Sequence, residues 1–121
     1  MEYLCQVWFD GKKLDQMPPA EMKAFGREAM DYDDELKRTG RMVIARALQS
    51  TASASTVRVR NGAISTTDGP FMETKEQLGG FILIEARDLN EAIQIASGIP
   101  LARLGAIEVR PIYTIPPPQE A

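Results

Sequence analysis

Apolar and polar positions along the chain follow two different periods, and the switches between them divide it into elements. Residues 3–9 (Tyr-Leu-Cys-Gln-Val-Trp-Phe) are rich in aromatic and β-favouring types and predict a strand. Asp10-Gly11-Lys12-Lys13 breaks that strand. Pro18 and Pro19 then suit the first turn of a helix, and Glu21 suits its positive end. Met22, Phe25, Ala29, Tyr32 and Leu36 recur at spacings of three and four. That period lines them on one stripe and turns Lys23, Arg27, Asp33, Glu35 and Lys37 outward. Gly40 supplies the stop. The stripe is only two heptads long, which favours a helix lying on a sheet over a coiled-coil seam.

Residues 42–48 predict a second strand, followed by a Ser/Thr/Ala loop over 50–55. Residues 56–60 and 63–67 predict the arms of a hairpin about Asn61-Gly62, a pair that accepts the two positive φ angles of a type I′ turn. A polar, Gly- and Pro-punctuated loop begins at Asp68 and runs through Gln77 to the pair Gly79-Gly80. Residues 81–86 then form the core strand, opening on the continuous apolar run 81–84, a pattern that suits burial. Asp88 caps a second helix, with Glu91 in capping-box position and Leu89, Ala92, Ile93 and Ala96 as its inner stripe. Gly98 ends it and Pro100 prevents continuation. Residues 107–112 make the last strand, and Pro116-Pro117-Pro118 stiffens an extended tail. The domain is expected over residues 1–113, with the Pro-rich tail over 114–121.

With the hairpin set aside, the order is strand-helix-strand twice over, which predicts an α+β ferredoxin-like sandwich with an inserted β-hairpin. Both helices then cover one face of an antiparallel sheet. Strand parity puts Ile82, Ile84, Ala86, Ile107, Val109, Val43, Ala45 and Ala47 toward the helices. The reverse face receives Phe81, Leu83, Met42, Ile44 and Leu48, mixed with Arg46, Glu85, Glu108 and Arg110. A face that oily calls for a cover, and a second copy is the simplest one, giving a homodimer with sheets face to face. The interspersed charges then either pair with one another or line a cavity fit for a small organic ligand.

Composition narrows the function. The 121 residues are one domain's worth, with ordinary globular hydrophobic and charged content. A net charge of −3 and the lack of a basic stripe argue against nucleic acid as a partner. No apolar run approaches the length of a membrane span. The acidic, polar-broken start does not resemble a signal peptide, and Cys5 is the only cysteine, so a cytoplasmic location is expected. Histidine is absent, which removes imidazole acid–base chemistry, His-based metal or haem ligation and His-activated nucleophiles. Carboxylates show no clustered metal spacing, and no cofactor or metal is expected.

Asp68-Gly69-Pro70-Phe71, followed by Glu73-Thr74-Lys75-Glu76-Gln77-Leu78-Gly79-Gly80-Phe81, closely resembles the signature of the YCII-related proteins of the DGPF branch. Thr56-Val57-Arg58-Val59-Arg60 and Glu108-Val109-Arg110-Pro111-Ile112 are similar to that family as well. The resemblance covers the chain to about Ile112. It implies a small cytosolic bacterial protein with a dimeric α+β barrel, described in the family as an enzyme of small-molecule metabolism, with some DGPF relatives linked to alternative sigma factors. A His-Asp pair proposed as catalytic in the other YCII branch has no counterpart for its histidine here, which leaves Asp68 as the matching acidic candidate. Arg46 departs from the acidic residue expected at that position.

Local chemistry gives Asp68 both a functional and a structural reading. An Asp in a turn ordinarily bonds the N–H two residues on, but Pro70 has none, so the carboxylate is left to Phe71 N–H, water or a ligand. Thr74 and Gln77 have capping spacing. Gly79-Gly80 signals close backbone approach rather than a phosphate cradle, since no Lys-Ser/Thr and helix follow. Cys5 reads as a small buried hydrophobe. The resulting expectation is cofactor-independent proton transfer of lyase or isomerase type, with Asp68 as base. Lys75 and Arg110 would hold an anionic group, and Phe71, Glu85 and Trp8 would line the pocket. The alternative is a non-catalytic ligand-binding or regulatory protein.

Overall fold

The computed structural model describes residues 1–119. Six strands and three helices follow in the order β1 (Glu2–Phe9), α1 (Gly11–Asp15), α2 (Pro19–Arg38), β2 (Met42–Ala47), β3 (Ser55–Arg60), β4 (Ala63–Asp68), β5 (Gln77–Glu85), α3 (Leu89–Ser97) and β6 (Ala106–Pro111), with short 3₁₀ turns at Thr51–Ser53 and Pro100–Arg103. A four-stranded sheet has the order β2-β5-β1-β6, and each neighbouring pair is antiparallel. The hairpin β3–β4 forms its own two-stranded sheet. Without the hairpin and α1, this order is the one a ferredoxin-like α+β sandwich requires.

Local signals explain most boundaries. The Asp10 side chain accepts from Lys12 N–H at 3.0 Å and starts α1, a single turn that the sequence pattern had read only as a break. Pro18 precedes α2, and Thr39 and Gly40 (φ 72°) close it by returning their N–H groups to Glu35 and Lys37 carbonyls. Asn61 and Gly62 take φ angles of 52° and 76°, as the hairpin turn demands. Asp88 accepts from Glu91 N–H at 2.9 Å and caps α3. The Glu91 carboxylate returns to Arg87, one residue before the cap, bonding both its N–H and its guanidinium.

The core lies between the sheet and the helices. Tyr3, Cys5, Ile82 and Ile84 from β1 and β5 pack against Leu36 of α2 and Ala92, Ile95 and Ala96 of α3, with Ile99 closing one end. Cys5 and Ile84 are fully enclosed. Burying one such aliphatic side chain contributes about 1.5–3 kcal/mol. The Tyr32 hydroxyl donates to the Ile95 carbonyl at 2.6 Å and ties α2 to α3. Arg103 grips Glu28 through two parallel bonds of 2.8 and 2.7 Å, fixing the Pro100–Arg103 turn beside α2.

Three expectations of which way residues face, one from strand parity and two from helix periodicity, are corrected. The register of β2 shifts between Met42 and Ile44, so Met42 pairs with Ile84 and packs on the core while Val43 is exposed. A bulge of this kind exchanges the faces of the residues before it. On α3 the inward residues are Ala92, Ile95 and Ala96, whereas Leu89 and Ile93 are exposed. Asp33 is half-buried rather than outward, because α2 lies close over the Ala45-to-Ala47 edge of the sheet, where Asp33 borders a small cleft.

Candidate functional site

A cleft of about 1020 Å³ opens at the Trp8 end of the sheet. Its residues come from five stretches: Trp8 at the end of β1, Asp10 and Lys13 around α1, residues 48–54 after β2, residues 70–76 before β5, and Gln77 and Leu78 at its start. In the β1–β6 register Trp8 follows Leu4 and Gln6 onto the face turned away from the helices, so the cleft adjoins that open face.

Glycine lets these pieces approach. A Cβ at Gly80 would lie 2.7 Å from the Arg46 carbonyl oxygen of β2, and one at Gly79 would fall within the Phe9 ring. Only glycine at both positions allows β5 to run this close to β2 and to the end of β1. The 70–76 loop is held from within: the Gln77 side-chain amide donates to the carbonyls of Met72 (3.1 Å) and Thr74 (2.6 Å), and the Thr74 hydroxyl donates to the Glu76 carbonyl. No helix forms there, so Thr74 and Gln77 brace a loop instead of capping a turn. Thr56 donates to the Gly69 carbonyl at 2.9 Å and Gly69 N–H to Ala54, which anchors the loop to the hairpin base. The Arg58 guanidinium sits 5.6 Å above the centre of the Phe71 ring, a cation–π contact from β3.

The expected site residues separate into two groups. Trp8, Phe71 and Lys75 line the cleft together. Asp68 ends β4 next to this loop but is not among the lining residues, and its side chain makes no hydrogen bond among the described residues. Arg110 and Glu85 stand near the opposite end of the sheet. Arg110 pairs with Leu4, four residues along β1 from Trp8, about 13 Å at strand rise. Glu85 is opposite Glu2 and contacts the N-terminal ammonium at 2.6 Å, while Arg110 bonds Glu108 at 3.0 Å. Arg46 turns back to its neighbour's carbonyl.

The residue that sequence reasoning passed over is Asp10. It is the one buried charged residue among those described, 8% exposed, and it lines the cleft. Its one visible signal was an Asp directly after a strand and before Gly-Lys-Lys, which also fits an ordinary turn. The Cys5 thiol is pushed up to about 11 by burial, so at neutral pH it stays protonated and unreactive. Among the described residues no three His, Cys, Asp or Glu side chains gather into a metal site. No described helix is long and apolar enough to cross a membrane.

The family model of the YCII-related domain matches residues 1–116. An uncharacterised protein of Rhizobium meliloti (strain 1021) is 43% identical over 76 residues, which is 61% of this chain and 60% of that protein. The match thus spans less than two thirds of the relative's length.

Proposed function

We propose, from the premise that this chain belongs to the YCII-related family, that the cleft beside Trp8 binds a small organic molecule and moves a proton on it without a cofactor. The observation that carries this reading is the meeting of one buried carboxylate, Asp10, with an apolar wall and a lysine from a separate loop, Lys75, in a single cleft. Asp10 takes a proton from a carbon beside the substrate's carbonyl or carboxylate and returns it at a neighbouring position. Lys75 holds the negative charge that develops. Asp68 ends β4 beside the 70–76 loop in this reading. The Asp68-Gly69-Pro70-Phe71 run also supports membership of the DGPF branch.

A second copy is part of the proposal. Leu4, Phe81 and Leu83 are only half-covered, and Ile44 is 36% exposed, all on the face that the helices leave bare. Two such faces packed about a two-fold axis form a dimeric α+β barrel and give the cleft its outer wall. The single cysteine supports a cytoplasmic setting.

Asn caps a helix as well as Asp does, so Asp10→Asn removes the charge and keeps the turn. Thermal unfolding of that variant is expected to match wild type within about 0.5 kcal/mol, while stabilisation by small organic acids, or their turnover, is lost. Asp68→Asn is expected to keep both. Ligand effects that survive Asp10→Asn and vanish in Asp68→Asn overturn the assignment. The Asp10–Lys12 bond gives the carboxylate a structural task of its own, which favours a second reading: a binding protein without turnover. Retained binding with no turnover of any bound acid by wild type selects that reading.

A further inference from the structure

We infer that the ligand of this cleft is a flat aromatic anion, one or two rings bearing a carboxylate on a short side arm, for which naphthoate is a non-reacting mimic; the inference rests on the cleft being a small-molecule site. Three features point the same way. The first is the nature of the apolar wall. Trp8 from the strand side and Phe71 and Met72 from the loop side share the lining with Leu48 and Leu78. Indole, phenyl and thioether groups together favour a π face over an aliphatic chain of equal size.

The second is that Phe71 and Met72 are left outside any core. They are 74% and 59% exposed, yet they belong to a loop that is braced by the Gln77 amide and by Arg58 over the Phe71 ring. A fixed loop holding an uncovered aromatic ring at a cleft is a surface prepared for stacking.

The third is charge. Lys13 and Lys75 reach the cleft from different elements, and neither takes part in an ion pair among the described residues. Arg58 adds a third positive group behind Phe71. Of the two carboxylates on the lining, Asp10 is buried at the cleft's inner side, so the exposed charges at the mouth are Glu76 against the two lysines, with Arg58 beside them. The cleft volume of about 1020 Å³ accommodates two fused rings.

Trp8 is the only tryptophan, so its indole N–H gives one cross-peak in a nitrogen–proton correlation spectrum and reports on this cleft alone. Naphthoate is expected to shift that peak saturably. Decalin carboxylate, the saturated counterpart with the same charge, is expected to bind at least tenfold more weakly, and naphthylmethylamine not to compete. Lys75→Gln or Lys13→Gln is expected to lower naphthoate affinity about tenfold, the loss of one charge-assisted contact. Phe71→Leu lowers affinity for naphthoate and leaves decalin carboxylate unchanged. Equal binding of the saturated acid overturns the aromatic preference and leaves the cleft's role as a ligand site standing. Displacement of naphthoate by the amine overturns the sign of the charge. Failure of all three probes to move the Trp8 peak overturns the inference. The cleft reading itself falls only if the organic acids of the Asp10→Asn comparison also leave wild type unaffected.

Discussion

On β1 and β5, residues one position apart meet opposite environments. Cys5 and Ile84 are sealed beneath α2 and α3, while Leu4 and Leu83, on the reverse of the same strands, remain half-covered. Both faces are apolar at their centre, so composition does not separate them. What separates them is connection: each strand–helix–strand unit returns its helix to the same side, and no described helix packs on the other. One face is therefore covered by the chain's own helices, and the face that the cleft adjoins is not.

The largest expected effect tests that asymmetry directly. Ile84→Ala removes a fully enclosed side chain and is expected to cost about 2–5 kcal/mol in urea unfolding, at any protein concentration. Leu83→Ala is expected to cost less than half as much in dilute solution, with a cost that grows as protein concentration rises, because in the proposed dimer its packing comes from the second copy. Equal, concentration-independent losses for the two variants would dissolve the distinction between the faces.

A smaller effect sharpens the account of how the cleft end is built. Gly80→Ala places a methyl group 2.7 Å from a backbone oxygen, which no rotamer change relieves. It is expected to cost about 1–3 kcal/mol and to speed hydrogen exchange across β2–β5 more than across β1–β6. Uniform acceleration over the sheet would show that the close approach of β5 to β2 is not where the strain falls.

The smallest effect is on the helix-covered side. Burial raises the Asp33 carboxyl above its ordinary range, with Lys37 opposing the shift and Asp34 adding to it. A raised carboxyl pKa favours the folded state fully below the unfolded range near pH 4, and that advantage is lost as pH rises through the folded value. Asp33→Asn is thus expected to gain stability relative to wild type between acid and neutral pH, seen as a rising difference in melting temperature. A constant difference over that interval would mean that Asp33 is as well solvated as the outward residues of α2.

Signals that act over three or four residues were legible without the structure. Asn61-Gly62 has one turn that suits it, Asp88 has one N–H to accept, and the Met22-to-Leu36 stripe has one side on which to lie. Trp8, Phe71 and Lys75 were also readable as candidates, since each sits at the edge of an element beside polar loop residues. The misplacements share a different cause. Met42 changes face because of a bulge that leaves no mark in the period of two, and Leu89 and Ile93 stay exposed because α3 rolls toward Ile95 and Ile99. Asp10 looked like a strand terminator because its place in the cleft depends on residues 48–54 and 70–76 arriving at the same end of the sheet.

The order of the strands and of the two long helices, the hairpin turn and the presence of an apolar reverse face follow from the sequence alone, since each depends on propensity, capping and periodicity among near neighbours, whereas the single turn of α1 did not show in it. Only the tertiary structure decided that Asp10 shares a cleft with Trp8, Phe71 and Lys75, while Arg110 and Glu85 lie at the far end of the sheet. The reason is geometric: strand register and the glycine-permitted approach of β5 to β2 set which chain segments converge, and neither is written in the residues that they bring together.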